Sequence, residues 1–494
     1  MVWLLWACVT DEDVSARVDW DGDGFVSTQF DGLDCDDQDP FVNPDATEKC
    51  GDGLDNDCDG TSNDCGINGE LSLSEAHAQV EGLESGDFDQ IEVGDLNEDG
   101  YSDVALSSTF VSMYGQPEGS GLIRVLAGPI EGTLVAHNAE LLLVGIEEDS
   151  WCGDAMAMMA SSPPVLAIGC PRSDRVDTDS GAVYLFNGFV EGEFGEDRAD
   201  VILVPVSSNT IFGGQLAAGG DLTGDGHPDL VVSAVRDGFD WNGSAYVFEG
   251  PVADGLDTDA AAGLIRGRQG DTVGLDIVSA SDLDGDGQND LLVSGFAIDG
   301  SDWPGAVWLA PGPIDGQVSV RDLAAPITGV GDDYFGMVLA AGGDVDGDGH
   351  DDAALAALTV KDGQGLVVVL RGGPELDFRM ESAWLTVAGT DDYEAVGSDV
   401  DLVDVSGSGI SEVVVGAYGH AEGSGGAFFF DGTEGGVHTL DDARASRLGE
   451  QAWDGAGTLV QGGDSTGDGI EDVWVVSPGA DPSSVAYLIA GGSF

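Results

Sequence analysis

From residue 66 onward, the apolar positions come in short runs cut by glycine, proline and aspartate. None of these runs keeps a 3.6-residue period long enough for a helix, so helical solenoids are excluded. Residues 212–267 show the unit. A short strand at 215–220 leads into an Asp/Gly-rich loop, an apolar strand at 230–235 follows, and a third strand covers 244–249. A Gly/Pro turn then leads to a fourth strand at 263–267. Four short strands in a unit of about 60 residues is the pattern of a propeller blade.

The loop itself recurs six times. The copies are Asp95-Leu-Asn-Glu-Asp-Gly-Tyr-Ser-Asp103, Asp221-Leu-Thr-Gly-Asp-Gly-His-Pro-Asp229 and Asp282-Leu-Asp-Gly-Asp-Gly-Gln-Asn-Asp290. Asp344-Val-Asp-Gly-Asp-Gly-His-Asp-Asp352, Asp404-Val-Ser-Gly-Ser-Gly-Ile-Ser-Glu412 and Asp464-Ser-Thr-Gly-Asp-Gly-Ile-Glu-Asp472 complete the set. Their starts are separated by 126, 61, 62, 60 and 60 residues. The first step is double, so one repeat near residue 158 lacks its loop and the total is seven. The predicted fold is all-β: a seven-bladed β-propeller of four-stranded blades over residues 66–494. A small Asp/Cys-rich calcium-binding segment at 11–65 precedes it. Every third strand but the last is followed by a fourth. Residues 76–83 are predicted to supply the missing one, pairing beside 484–490 and fastening the ring, because an open ring leaves unpaired edges.

Charge sharpens this picture. The chain of 494 residues carries 15 Lys+Arg against 93 Asp+Glu, a formal net charge of -78. Self-repulsion on that scale opposes compaction unless cations offset it. It also argues against a nucleic-acid partner or an anionic membrane surface. No stretch is long and apolar enough for a transmembrane helix. Of seven cysteines, Cys35, Cys50, Cys58 and Cys65 cluster near the N-terminus, as in an extracytoplasmic disulfide framework, with their pairing open. Cys152 and Cys170 flank the loop-less repeat, at the start of its first strand and the end of its second. Antiparallel pairing brings those ends together, and a disulfide there is predicted to replace the missing loop's cation as a staple. Residues 1–10 read as a truncated lipoprotein signal. Leu5-Trp6-Ala7-Cys8 resembles a lipoprotein box that would lipidate Cys8, although it has no basic n-region and its apolar run is short.

In the loop pattern D-x-[DNT]-x-D-G-x-x-D, side-chain oxygens stand at positions 1, 3, 5 and 9, and position 7 offers a backbone carbonyl. Such all-oxygen sites suit Ca²⁺. The predicted ligands are Asp95, Asn97, Asp99, Tyr101 and Asp103; Asp221, Thr223, Asp225, His227 and Asp229; Asp282, Asp284, Asp286, Gln288 and Asp290; Asp344, Asp346, Asp348, His350 and Asp352; and Asp464, Thr466, Asp468, Ile470 and Asp472. The loop with Asp404, Ser406, Ser408 and Glu412 carries weaker or longer ligands. No His or Cys holds a side-chain ligand position, which disfavours zinc and copper. Upstream, Asp19, Asp21, Asp23, Phe25 and Ser27 fit the same spacing, as do Asp55, Asp57, Asp59, Thr61 and Asn63. The competing reading is that the repeats are acidic turns without metal and that the N-terminal segment is a disordered acidic stalk.

Around the loops stand Phe212-Gly213, Phe335-Gly336 and Trp151…Gly153, with Gly169-Cys-Pro171, Gly416-Ala-Tyr418 and Ser477-Pro-Gly-Ala480 after them. Together these resemble the FG-GAP repeat of integrin α-subunit propellers and many bacterial surface proteins, over about residues 75–494. The resemblance implies seven blades with calcium in the strand-connecting loops. Residues 11–65 resemble the Cys/Asp-rich metal-binding motif of bacterial surface proteins and thrombospondin type 3 calcium repeats. Copper is sometimes attached to that motif family, but with no His or Met in 11–65 it is not carried over.

The resemblance also implies a binding role, with a protein or glycan partner. The face opposite the Asp loops should hold Tyr114, Arg172, Arg175, Arg236, Phe239, Trp241, Trp303, Lys361, Tyr418 and His420, and the blade-joining loops add Trp151, Tyr334, Tyr393 and Trp453. Exposed aromatics with arginines suit such partners. The bland alternative packs these rings between blades. A calcium-dependent polysaccharide lyase or hydrolase is the rival class. Six histidines, two of them inside loops, and the lack of G-x-S-x-G and H-E-x-x-H motifs weigh against it. Met156, Met158 and Met159 read as core residues before copper ligands. A calcium-stiffened spacer without a ligand is the third reading. The expected place is extracytoplasmic: secreted, or a lipoprotein on a bacterial surface.

Overall fold

The computed structural model describes residues 67 and 69–492, apart from 84–86, 111–116, 190, 239–240, 297–303, 331–332, 434 and 481. Upstream it describes 25–28, 32–36, 38, 42–44 and 58. Cys8, Asp19, Asp21, Asp23, Cys50, Asp55, Asp57, Asp59, Thr61, Asn63, Cys65, Tyr114, Phe239 and Trp303 lie outside the described residues.

Seven sheets follow one another along the chain as blades. Blade 1 is Gln90–Gly94, Asp103–Ser108, Leu122–Leu126 and Leu141–Val144; blade 2 is Ala155–Met159, Val165–Cys170, Ala182–Asn187 and Val201–Leu203. Blade 3 is Phe212–Ala218, Leu230–Ala234, Ser244–Phe248 and Gly263–Arg266; blade 4 is Ile277–Ala280, Asp290–Phe296, Gly305–Ala310 and Ile327–Thr328. Blade 5 is Val338–Gly343, Asp352–Ala357, Leu366–Leu370 and Leu385–Ala388; blade 6 is Val396–Val403, Glu412–Ala417, Gly426–Phe430 and Ala445–Leu448. Blade 7 is Leu459–Gly463, Asp472–Ser477, Val485–Ile489 and, from far upstream, Ala78–Glu81. The first strand of each blade touches the first strands of both neighbours, so these seven strands form the inner ring.

The second strands are apolar on both faces because each blade is sandwiched between two others. Glu412–Ala417, with three valines in a row, is buried throughout. The core is accordingly divided into seven apolar clusters, one for each interface between adjacent blades. Met156 and Met159 belong to two of these clusters, as their core reading requires.

The ring closes as predicted. Ala78–Glu81 runs antiparallel to Val485–Ile489, with Ala78 opposite Leu488 and Glu81 opposite Val485. Ala78 and Val80 are buried among Trp474, Ala486 and Leu488. One element was not predicted. In blades 1, 2, 4 and 6 the chain, after its third strand, first runs along the outer edge of the preceding blade, parallel to that blade's fourth strand. It then returns as the fourth strand of its own blade, through a single 3₁₀ turn in blades 1, 2 and 6. Gly132–Val135 edges blade 7, Gly192–Gly195 edges blade 1, Gly316–Ser319 edges blade 3 and Gly436–His438 edges blade 5. Gly69–Ser72 does the same on blade 6, followed by the turn Leu73–Glu75 and the closing strand. The closing segment thus reproduces the whole outer-strand, turn and fourth-strand unit.

Candidate metal centres and the opposite face

The six Asp loops join first and second strands and share one geometry. The position-1 carboxylate caps the loop's own amides: Asp221 Oδ1 accepts from Gly224 N at 2.7 Å and Asp225 N at 2.9 Å, and its Oδ2 from Gly226 N at 2.8 Å. Asp95, Asp282, Asp344, Asp404 and Asp464 each accept from the position-6 glycine in the same way. At position 5, one oxygen accepts from the position-7 amide, as Asp225 does from His227 N at 2.8 Å. The position-9 aspartates 103, 229, 290, 352 and 472 are fully buried. Each bridges the start of its loop to the turn after the third strand; Asp290 accepts from Asp284 N at 3.1 Å and Gly312 N at 3.0 Å. Burial pushes the carboxyls of Asp103, Asp290, Asp352 and Asp472 up to about 6.

The remaining oxygens decide what the loops can hold. Asp282, Asp284 and Asp290 in blade 4 each offer an oxygen within 4.8 Å of the others, as do Asp344, Asp346 and Asp348 in blade 5. Thr223 Oγ1 at position 3 of blade 3 and Asp282 Oδ1 at position 1 of blade 4 are buried with no hydrogen-bond partner. Buried polar atoms are normally satisfied, so two orphans in a carboxylate cradle fit a bound hard cation. In blade 1, Asn97 Nδ2 donates to Asp99 Oδ2 at 2.9 Å. In blade 6, the Ser406 hydroxyl donates to Asp404 Oδ1 at 3.2 Å and to Ser408 Oγ at 2.9 Å. Glu412 there pairs with Arg444 at 3.2 Å. Glu412 Oε2, at position 9 of that loop, is likewise buried with no hydrogen-bond partner.

Blade 2 replaces the loop by the short connection 160–164, slightly beyond the predicted position near 158, which lies inside its first strand. The predicted bond Cys152–Cys170 is present. It ties the same two strands as a loop would, but at their other end, so the staple sits on the opposite face of the blade. Upstream, Cys35 is bonded to Cys58.

A family model described as "FG-GAP repeat" matches residues 212–248, the first three strands of blade 3 with its loop. Blade 3 thus carries a match to the FG-GAP repeat. A second model, described as "Putative metal-binding motif", matches residues 34–64. Integrin alpha-5 of Xenopus laevis is 26% identical over 226 residues, 42% of this chain and 20% of that protein. Integrin alpha-PS3 of Drosophila melanogaster is 30% identical over 239 residues, 44% and 19% of the two chains. The chain therefore spans about a fifth of the length of the curated relatives it matches. Among solved structures, one titled "Structure of Dos1 propeller" aligns with a TM-score of 0.45 at 13% identity, covering 85% of this chain and 95% of that one.

The inner ring of the propeller holds carboxylates that sequence reading missed. Glu92 Oε1 accepts from Met158 N of the next blade at 3.0 Å, Asp276 Oδ2 from Leu339 N at 2.8 Å, and Asp399 Oδ2 from Val460 N at 2.8 Å. Asp401 Oδ2 accepts from Gly462 N at 2.7 Å. Each acid thus stitches its first strand to that of its neighbour. Burial is the main cause that lifts these groups, Glu92 and Asp276 to about 7, Asp401 to about 6 and Asp399 to about 8. The only sequence signal was the alternation Asp399-Val-Asp401 within an apolar strand.

The opposite face is built from the loops between second and third strands and from the blade joins. Trp453 and Tyr393 are 81% and 76% exposed, and Trp241, Tyr418 and Tyr334 are also exposed. Four of these five have left-handed backbone, with φ of 75° at Trp453, 64° at Tyr393, 60° at Trp241 and 51° at Tyr334. Aromatic residues rarely adopt that region, and such residues concentrate at functional sites. Arg172 lies 4.5 Å over the ring of Trp151 and Arg236 4.7 Å over that of Trp241. His420 pairs with Glu394 at 2.9 Å, and Lys361 and Arg175 are exposed. The predicted face is therefore aromatic and wet among the described residues, rather than folded into the inter-blade core.

Proposed function

We propose that this chain is a calcium-binding, extracytoplasmic, adhesion-like propeller that holds a protein or glycan ligand on the face opposite its Asp loops. The observation that carries the reading is the row of exposed aromatic rings on left-handed backbone at Trp241, Tyr334, Tyr393 and Trp453. A ring left in water on a strained backbone costs stability, which a ligand-stacking role explains and a spacer role does not. The FG-GAP repeat and the similarity to integrin α chains support a binding role over an enzymatic one.

Calcium is the cation that the loops fit best: oxygens only, a cradle with orphaned atoms, and five aspartates at position 9 whose ionised form a divalent ion would favour. Asp95, Asn97, Asp99 and Asp103 would hold it in blade 1, and the equivalent residues in blades 3, 4, 5 and 7. Bound there, it would offset part of the -78 charge and fix each first strand to its second. The N-terminal segment, with its metal-binding motif, adds further sites in the same reading. The test is capture on glycan and extracellular-protein arrays by the calcium-loaded chain, with the variants Trp453→Ala and Tyr393→Ala alongside. A ligand lost in both variants supports the reading. A ligand bound equally by both, or no ligand on either array, overturns it in favour of the spacer.

A further inference from the structure

Neighbouring Asp loops are built against one another. The backbone at loop position 4 is left-handed, with φ of 77° at Gly467, 68° at Gly407 and 77° at Gly347. A Cβ on Gly467 would stand 2.0 Å from the ring of Tyr101, and one on Gly407 would stand 3.1 Å from Ile470. One on Gly347 would stand 3.0 Å from Ile410. In each case the intruding side chain is position 7 of the next blade's loop.

Backbone bonds run the same way. Ser102 N, at position 8 of blade 1, donates to the position-1 carbonyl of Asp464 in blade 7 at 2.8 Å, and Ser411 N donates to Asp344 O at 2.7 Å. The turns after the third strands add Ile314 N to Leu222 O at 2.7 Å, Gly373 N to Leu283 O at 2.9 Å and Gly492 N to Val405 O at 2.9 Å. Each loop is thus braced by its successor.

Blade 1 is the exception, because its successor, blade 2, has no loop. Its position 4 is free to be Glu98, a non-glycine at φ 58°, which Ser162 of blade 2 meets at 3.5 Å. The array is therefore an open chain running from blade 3 through blades 4, 5, 6 and 7 to blade 1. In blade 6 the serine loop, whose Glu412 pairs with Arg444, stands between the loops of blades 5 and 7.

We propose that calcium binding is positively cooperative between adjacent loops, transmitted by the position-7 side chain and the position-8 amide, and that blade 2 ends the array. The proposal rests on the calcium reading above. A filled loop fixes its position-7 backbone, and with it the contacts that shape the preceding loop. By linkage the effect is reciprocal.

The test is calcium titration calorimetry on the full chain. Asp99→Ala should remove the blade 1 site and also weaken one other site, that of blade 7, by about 5-fold or more. Tyr101→Ala changes no ligand side chain, so it should keep the number of sites and weaken one by a similar factor. The combined variant should be no weaker at the blade 7 site than Asp99→Ala alone. Gln288→Ala, at a partly exposed surface position, repeats the test on blade 3 should Tyr101→Ala fail to fold. Remaining affinities unchanged in Asp99→Ala and in the position-7 variants would overturn the coupling alone. A wild-type chain that takes up no calcium would overturn the calcium reading and the coupling with it.

Discussion

The ring closure depends on one buried ion pair whose removal has a calculable cost. Arg124 Nη2 lies 3.0 Å from Asp87 Oδ1, and the two side chains are 1% and 0% exposed. Arg124 Nη1 also donates to Ser108 Oγ at 2.8 Å. Asp87 Oδ2 accepts from Leu83 N at 2.7 Å, just beyond the closing strand, and Asp87 N donates to Ser484 Oγ of blade 7 at 2.9 Å. The pair therefore joins blade 1 to the strand that seals blade 7. Asp87→Ala takes the carboxylate away from a guanidinium that is 1% exposed, a loss of about 3–5 kcal/mol. It also frees the Leu83 amide, at about 1 kcal/mol more. Against the roughly 5–15 kcal/mol that holds a typical domain folded, that is a large fraction. Arg124→Met should cost a similar amount by stranding the carboxylate. The double variant removes both charges and should recover most of either loss, a coupling of about 3 kcal/mol. Urea unfolding followed by tryptophan fluorescence measures all four corners, with Trp474, fully buried beside the closing strand, as reporter. Single variants that each lose under about 1 kcal/mol and add in the double would refute the lock.

Three further outcomes follow from the same structure. Burial, with the charge of Asp401 adding, holds the Asp399 carboxyl at about 8 against its ordinary 3.8. A folded value above the unfolded one means that the stability this group contributes is whole below the ordinary value and is lost as pH rises through about 8. Asp399→Asn keeps an acceptor for Val460 N, so it should raise the melting temperature near pH 9 and leave it unchanged near pH 4; equal shifts at both would contradict the assignment. Replacing Cys152 and Cys170 by alanine opens a loop of 18 residues and should lower stability by about 3 kcal/mol in unfolding titrations, against no change if the bond is incidental. Gly467→Ala meets both a φ of 77° and the Tyr101 ring, and should destabilise by more than 1 kcal/mol, or about the cost of an off-region alanine alone if the ring simply moves aside.

The blades were legible because their signal is doubly periodic. An Asp loop every 60 or so residues sets the repeat, and apolar runs beside it set the second and third strands, which are buried on both faces. The closing strand was legible by subtraction, since one blade lacked a fourth strand and residues 76–83 had no blade. The outer strands were missed because they are short and mostly exposed, and so carry no apolar run. Their signal was a repeated motif, as in Gly69-Glu-Leu-Ser-Leu-Ser-Glu-Ala76, Gly132-Thr-Leu-Val-Ala-His-Asn-Ala139 and Gly192-Glu-Phe-Gly-Glu-Asp-Arg-Ala199. The loop residues were readable as a spacing, but the double duty of position 9, bridging loop and turn from full burial, was not. Nor were Glu92, Asp276 and Asp399, since an acid in a strand reads as a solvated face until the ring turns that face toward a neighbouring blade. The staple of blade 2 was foreseen both as a bond and in its place, since antiparallel pairing brings the start of the first strand beside the end of the second.

If cations in the Asp loops hold this acidic ring together, the melting temperature of the full chain must differ between millimolar calcium and chelator. Each site at 100 times its dissociation constant adds about 2.7 kcal/mol if only the folded state binds. With candidate sites in five blades, the melting point should rise steeply with calcium and fall back on chelation. A midpoint unmoved between the two conditions would contradict it.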